Sequence, residues 1–148
     1  GLALKIAILS SEAFVENHDD APQKWRIRGL PTEKALIARA GERGILQNQF
    51  LQSEEEIDEI PFSSEYKYSA SLRKIVGDDY VLYVKGAPEI IFKYCLLKKD
   101  EQEKNLSLVK NLTKSGLRIL AFAQKETKEK KKINNQYSRK ESKSWKQP

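Results

Sequence analysis

The clearest two-residue alternation in the chain runs from Lys67 to Val76, where Tyr68, Ala70 and Leu72 interleave with Ser69, Ser71 and Arg73. That period is the signature of a strand. Gly77-Asp78-Asp79 follows as a turn, and Tyr80 to Lys85 is a run of aromatic and β-branched residues, so an antiparallel hairpin is predicted here. The first strand would carry Lys67, Ser69, Ser71 and Arg73 on one polar face available to a ligand. Lys85 would project with Val81 and Tyr83, its charged head in an apolar pocket or snorkelling past it. Glu54 to Phe62 alternates less cleanly and predicts another strand, and Leu117 to Lys125 a last one. Helical composition and stop signals predict helices from the N-terminal residues to about Phe14, from Pro31 to Gly44, from Ala87 to Leu97 and from Gln102 to Lys114. The polar stretch from Glu16 to Gly29 is expected to be irregular. Hairpin-joined strands with helices beside them give an α+β domain, an antiparallel β-sheet flanked by helices.

The junction at Tyr80 to Glu89 is the most informative segment. A strand delivers Lys85 and Gly86 to the point where a helix begins, and Pro88 with Glu89 suits the first turn of that helix. Gly86 has no Cβ, so a ligand or another backbone can approach it closely. In isolation the segment also fits a plain strand–turn–helix corner with a solvated lysine.

The chain of 148 residues is long enough for one core, begins at Gly1 without a methionine, and so reads as a piece of a larger protein. No run of 18 apolar residues and no secretory signal is present, so the chain as given is expected to be soluble. Cys95 is the one cysteine; it has no intrachain disulfide partner, fits a reducing compartment, and is predicted to be a small buried hydrophobe. The net charge of +6 raises a nucleic-acid reading, but its location argues against one for the folded part. Nine of the 27 cations and three of the 21 acids lie from Lys125 onward, leaving 18 of each sign before it. Residues 1–126 are expected to be the folded domain, and 127–148 a basic polar tail or connection. Binding of nucleic acid or an acidic surface through Lys130-Lys131-Lys132, Tyr137 and Trp145 is the alternative function. No phosphate loop of the Gly-x-x-x-x-Gly-Lys-Ser/Thr type and no Gly-x-Gly-x-x-Gly motif occurs. His18 is the single histidine, so a histidine-based metal site or a serine–histidine triad is not expected.

Four collinear segments then point to one family. Lys85-Gly86-Ala87-Pro88-Glu89 resembles the "KGAPE" signature of the nucleotide-binding domain of P-type cation-transporting ATPases. Gly29-Leu30-Pro31-Thr32-Glu33-Lys34-Ala35-Leu36 resembles that domain's "G(D/E)PTE.AL" segment, Glu59 to Lys67 its "E.PF.S..K" strand, and Gly116 to Ala123 its "GLR.LA.A" strand. The resemblance covers about residues 29–126. It is to pumps of the calcium, sodium–potassium and proton type; heavy-metal pumps use a His-Pro pair, and His18 is followed by Asp19.

The resemblance implies that ATP, as Mg-ATP with the metal held mainly by ATP and by other domains, is the ligand. Phe62 would stack on adenine, Glu33 would accept from its edge, Lys67 and Lys85 would line the pocket, Gly86 would form its floor, and Arg118 would hold the ribose or phosphate end. Taken alone, Phe62 fits a core phenylalanine, Glu33 a first-turn helix glutamate stabilised by the dipole, and Arg118 an ordinary strand arginine. No catalytic residue is expected in this chain. The family's phosphorylated aspartate segment, Asp-Lys-Thr-Gly-Thr, and its magnesium-binding segments are not among these residues, so the chain should bind ATP without hydrolysing it. Implied partners are the phosphorylation and actuator domains of the same pump, with membrane contact only through transmembrane helices outside this sequence; this would be a cytoplasmic domain of an integral membrane protein. Two positions depart from the pattern. Leu30 replaces the usual Asp or Glu, and Ser64 stands where many calcium pumps have an arginine, so weak ATP affinity is expected.

Overall fold

The computed structural model describes residues 1–128, so most of the predicted basic tail lies outside the described residues. The first helix, α1 (Leu2–Leu9), is apolar nearly all round, and its last four residues, Ile6 to Leu9, are all buried. It stops at Leu9 rather than near Phe14. A two-stranded antiparallel pair, β1 (Phe14–Val15) and β2 (Ile27–Arg28), then closes the stretch expected to be irregular, with a 3-10 turn at Pro22–Lys24 between them.

Helix α2 (Pro31–Glu42) begins with Pro31 and carries Glu33 in its first turn. It ends where Gly44 takes φ +70°: the Gly44 amide bonds to Gly41 O and the Ile45 amide to Ala40 O. That paired closure satisfies carbonyls the last turn leaves open, and the left-handed conformation it needs favours glycine. A short helix not predicted from the sequence, α3 (Gln47–Ser53), leads into β3 (Glu55–Ile60). Strands β4 (Tyr68–Lys74) and β5 (Tyr80–Gly86) form the predicted hairpin. Helices α4 (Pro88–Tyr94) and α5 (Lys99–Lys114) follow, and β6 (Ala121–Thr127) completes a fully antiparallel sheet of order β3-β4-β5-β6. No helix among the described residues is long and apolar enough to cross a membrane.

The sheet lies between two helical layers, and the strand period assigns residues to them. Tyr68, Ala70, Leu72, Tyr80, Leu82 and Val84 pack with Ile91, Phe92 and Cys95 on the α4–α5 side. Val81 and Tyr83 pack with Ile6, Ile8, Leu9, Ile37 and Ala40 on the side of α1 and α2. Every residue of β5 is buried, as a central strand covered on both faces must be, and Cys95 is buried as predicted.

The polar face of β4 is not open to a ligand. Ser69, Ser71 and Arg73 are all buried: Ser69 and Arg73 supply hydrogen bonds at the end of α1, and Ser71 Oγ donates to Glu56 Oε2. A helix leaves its last carbonyls without intrahelical donors. Here Ser10 Oγ donates to Ile6 O, Ser11 Oγ to Ala7 O, Gln47 Nε2 to Ile8 O, Arg73 Nη2 to Leu9 O and Ser69 Oγ to Ser10 O. Arg73 also donates to Glu54 O and pairs with Glu56. The alternation is right, but Ser69 and Arg73 fasten a helix end to the sheet and Ser71 is taken up by Glu56 of β3.

Candidate functional site

Topology brings the six site residues expected from the sequence to one end of the sheet. Tyr68, Gly86 and Ala121 share a rung. Lys67 immediately precedes that rung on β4, Lys85 and Gly86 close β5, and Arg118 lies in the segment entering β6. The last pairing of β3, Ile60 with Ala70, lies nearby, and Phe62 follows it. Glu33 is tied to the same end through Lys85.

Lys85 is the buried centre of this cluster. Its Nζ donates to Glu33 Oε1 at 2.6 Å and to Ser11 Oγ at 2.9 Å, and the Lys85 and Glu33 side chains are only 6% and 11% exposed. A buried charge of either sign would be costly alone, and the pairing offsets that cost. The first-turn position of Glu33 is therefore more than a favourable dipole contact. Ser11 was not anticipated: it lies 74 residues from Lys85, and nothing in a Ser-Ser pair after an apolar run signals chemistry.

Gly86 sits against the start of β4. A Cβ built on it would fall 2.5 Å from Lys67 O and 2.6 Å from Tyr68 Cβ. Lys67 O also accepts the Ala87 amide at 2.9 Å. Lys67 itself lies just outside β4 at φ 59°, so it does not continue the alternation of Ser69, Ser71 and Arg73. A non-glycine residue in that conformation stores local strain. Its ammonium is 3.9 Å from Glu89 with both side chains more than half exposed, a contact weak enough to leave the lysine free to meet a ligand.

Phe62 is 47% exposed, which sets aside the reading of it as a core phenylalanine. It stands in the loop between β3 and β4. Arg118 is exposed and precedes β6 rather than lying within it, because β5 ends at Gly86 and offers no partner beyond Ala121. Leu30 is 62% exposed at the entrance to α2. Two cavities, of about 350 and 290 Å³, are lined by other residues, around Lys5 and Phe50 and around Phe14 and Trp25. Of the six residues, Phe62, Lys67 and Arg118 are thus exposed, whereas Glu33, Lys85 and Gly86 are buried. Among the described residues, no three His, Cys, Asp or Glu side chains converge to hold a metal ion.

Beside this end, Glu59 lines a pocket of water-molecule size together with Ser11, Glu12, Glu56 and Ser71. Glu59 is itself exposed, yet partial desolvation first, and then the charges of Glu56 and Glu12, push its carboxyl above the ordinary carboxylate range, with Arg73 opposing. A raised folded-state pKa means that the folded form holds the proton more tightly than the unfolded chain. The resulting stability is full below the unfolded value and is lost as pH rises through the folded one. Because solvent screens this exposed carboxyl, Glu59→Gln is expected to raise the thermal midpoint only slightly at pH 7, with the gain vanishing below about pH 4. Midpoints measured across that range check this, and a gain independent of pH would contradict it.

Residues 2–147 match the family model described as P-type ATPase, cytoplasmic domain N. The chain is 34% identical over 130 residues to a cation-transporting ATPase of Synechocystis sp., covering 82% of this chain and 14% of that protein. It is 31% identical over 108 residues to a sodium/potassium exporting P-type ATPase of Schizosaccharomyces pombe, covering 69% and 10% respectively. To a calcium-transporting ATPase of Lactococcus lactis it is 27% identical over 119 residues, covering 74% and 13%. The chain thus spans at most about one seventh of the length of these three relatives.

Proposed function

Because this chain belongs to the family of P-type ATPase cytoplasmic N domains, of the cation-transporting type, we propose that it binds ATP at the sheet end formed by Phe62, Lys67, Lys85, Gly86, Glu33 and Arg118. The observation that carries this is the buried Lys85–Glu33 pair at the sheet end whose flanking segments carry the exposed Phe62, Lys67 and Arg118. An adenine ring needs a flat apolar surface and hydrogen-bonding groups at its edge, and a triphosphate needs positive charge. Phe62 offers the surface, the Lys85–Glu33 pair offers a donor and an acceptor side by side, and Lys67 and Arg118 offer mobile charge. Gly86 contributes indirectly: the space of its absent Cβ is filled by Lys67 O and Tyr68 Cβ, so it lets the start of β4 close beside Lys85.

ATP arrives as its magnesium complex, in which the metal offsets phosphate charge. The chain's own residues hold and orient the nucleotide, and they include no aspartate in the family's phosphorylation segment. The γ-phosphate would therefore be presented to an aspartate on the phosphorylation domain of the same pump, with binding and release coupled to hinge movement against that domain and the actuator domain. In this reading the chain is a cytoplasmic part of a cation pump embedded in a membrane through segments outside this sequence.

Amide chemical shifts should respond to millimolar ATP at Glu33, Phe62, Lys85 and Gly86 before anywhere else. Phe62→Ala should weaken binding by roughly 5- to 150-fold if the stacking contribution is lost. Amides that stay put throughout the titration would end the proposal, and an unchanged dissociation constant in a folded Phe62→Ala variant would remove the stacking role.

A further inference from the structure

A lysine ammonium has three N–H donors, and two of those on Lys85 are engaged, by Glu33 Oε1 and Ser11 Oγ. Ser11 spends its own hydroxyl proton on Ala7 O at 2.5 Å, so its lone pairs are the part left to face Lys85. The hydroxyl cannot turn round to act as a donor without abandoning a carbonyl at the end of α1. Its position is fixed as well. The preceding carbonyl, Ser10 O, accepts from Ser69 Oγ at 3.0 Å, and Ser69 is the register partner of Lys85 across β4 and β5. Ser11 is thus held against the strand that carries the lysine.

We infer that Ser11 is a positioning residue for Lys85, and its consequence for binding rests on the ATP reading above. A carboxylate alone supplies charge but leaves the ammonium free to rotate about Cε–Nζ and to swing on its flexible stem. A second acceptor in a fixed direction removes that freedom. With two of three tetrahedral N–H bonds directed by Glu33 and Ser11, the direction of the third is determined, and it is the one that remains for a ligand acceptor. Glu33 supplies the charge and Ser11 the direction.

The test uses the 148-residue chain with Ser11→Ala and Ser11→Thr. Three quantities are measured: the ATP dissociation constant, the thermal midpoint, and the proton–nitrogen correlation of the Lys85 side-chain ammonium without nucleotide. Ser11→Ala is expected to raise the dissociation constant about 3- to 10-fold and to shift or broaden the Lys85 signal, and Ser11→Thr, which keeps the hydroxyl, should restore both. An alanine variant that lowers the midpoint but leaves the Lys85 signal and the dissociation constant unchanged would overturn the inference, since Ser11 would then serve only α1. If the unsubstituted chain binds no ATP, the nucleotide reading fails by itself. The ammonium signal then decides alone: a change in Ser11→Ala reversed in Ser11→Thr upholds the positioning role, and no change refutes it. Should the alanine variant not fold, Ser11→Cys, similar in size and a poor acceptor, carries the same comparison.

Discussion

Lys85→Met should lower the unfolding free energy by about 3–5 kcal/mol, the cost of leaving one member of a buried ion pair without its partner. The abandoned group is Glu33, 8% exposed and in the first turn of α2. Methionine nearly preserves the volume of the lysine stem, so packing contributes little to the loss. Because a domain is stabilised by only about 5–15 kcal/mol in total, the single variant should be visibly fragile. The double variant Lys85→Met/Glu33→Leu removes both charges together. Replacing a whole buried pair with apolar groups is often neutral or stabilising, so the double variant should recover most of the stability while binding ATP no better than the single one. Urea unfolding of the three proteins, with ATP titrations alongside, separates the two roles. If the single variant loses less than about 1 kcal/mol, the pair is solvated and contributes no more than a surface contact does. If the double variant binds ATP normally, the pair belongs to the fold and not to the site.

The sheet was legible because its strands carry their own evidence. The alternation in β4 and the unbroken apolar run in β5 each specify burial without reference to the rest of the chain, and the fold class follows from them. The proline and acid at the start of α2 and of α4 mark those helices equally plainly. What escaped depends on partners distant in sequence. Ser69 and Arg73 look like a ligand face until α1 is laid across them; the carbonyls they satisfy belong to residues 59 and 64 positions away. Helix α3, Gln-Asn-Gln-Phe-Leu-Gln-Ser, has too few apolar residues to show a period. Leu117 to Leu120 has strand composition, but β5 has already ended, so there is no ladder for Arg118 to join. The candidate site divides in the same way. Its six residues were legible as motif positions, whereas Ser11 became visible only when α1 was seen to end beside Lys85.

Gly86→Val is expected to damage the fold and the site together, for a reason that differs from a turn glycine's. Gly86 requires no unusual φ. It is needed because the space a side chain would occupy is filled by Lys67 O at 2.5 Å, Tyr68 Cβ at 2.6 Å and Tyr68 Cα at 2.8 Å, atoms of the neighbouring strand that cannot move aside as a flexible side-chain tip does. Accommodation would require the β4–β5 pair to open at this rung. It would strain the bond from the Ala87 amide to Lys67 O and shift Lys67, Tyr68 and the start of α4. Overpacking in a well-filled interior typically costs about 1–3 kcal/mol, and a clash with backbone puts valine at the upper end, with alanine below it. Binding should suffer further, because the displaced segment carries Lys67 and adjoins the Phe62 loop. A graded series of Gly86→Ala and Gly86→Val, followed by denaturant midpoints and ATP titration, should lose stability and affinity in step with side-chain size. Alanine and valine variants that match the unsubstituted chain in both measurements would mean that β4 and β5 do not close on Gly86 in solution, and the floor of the site would have to be sought elsewhere.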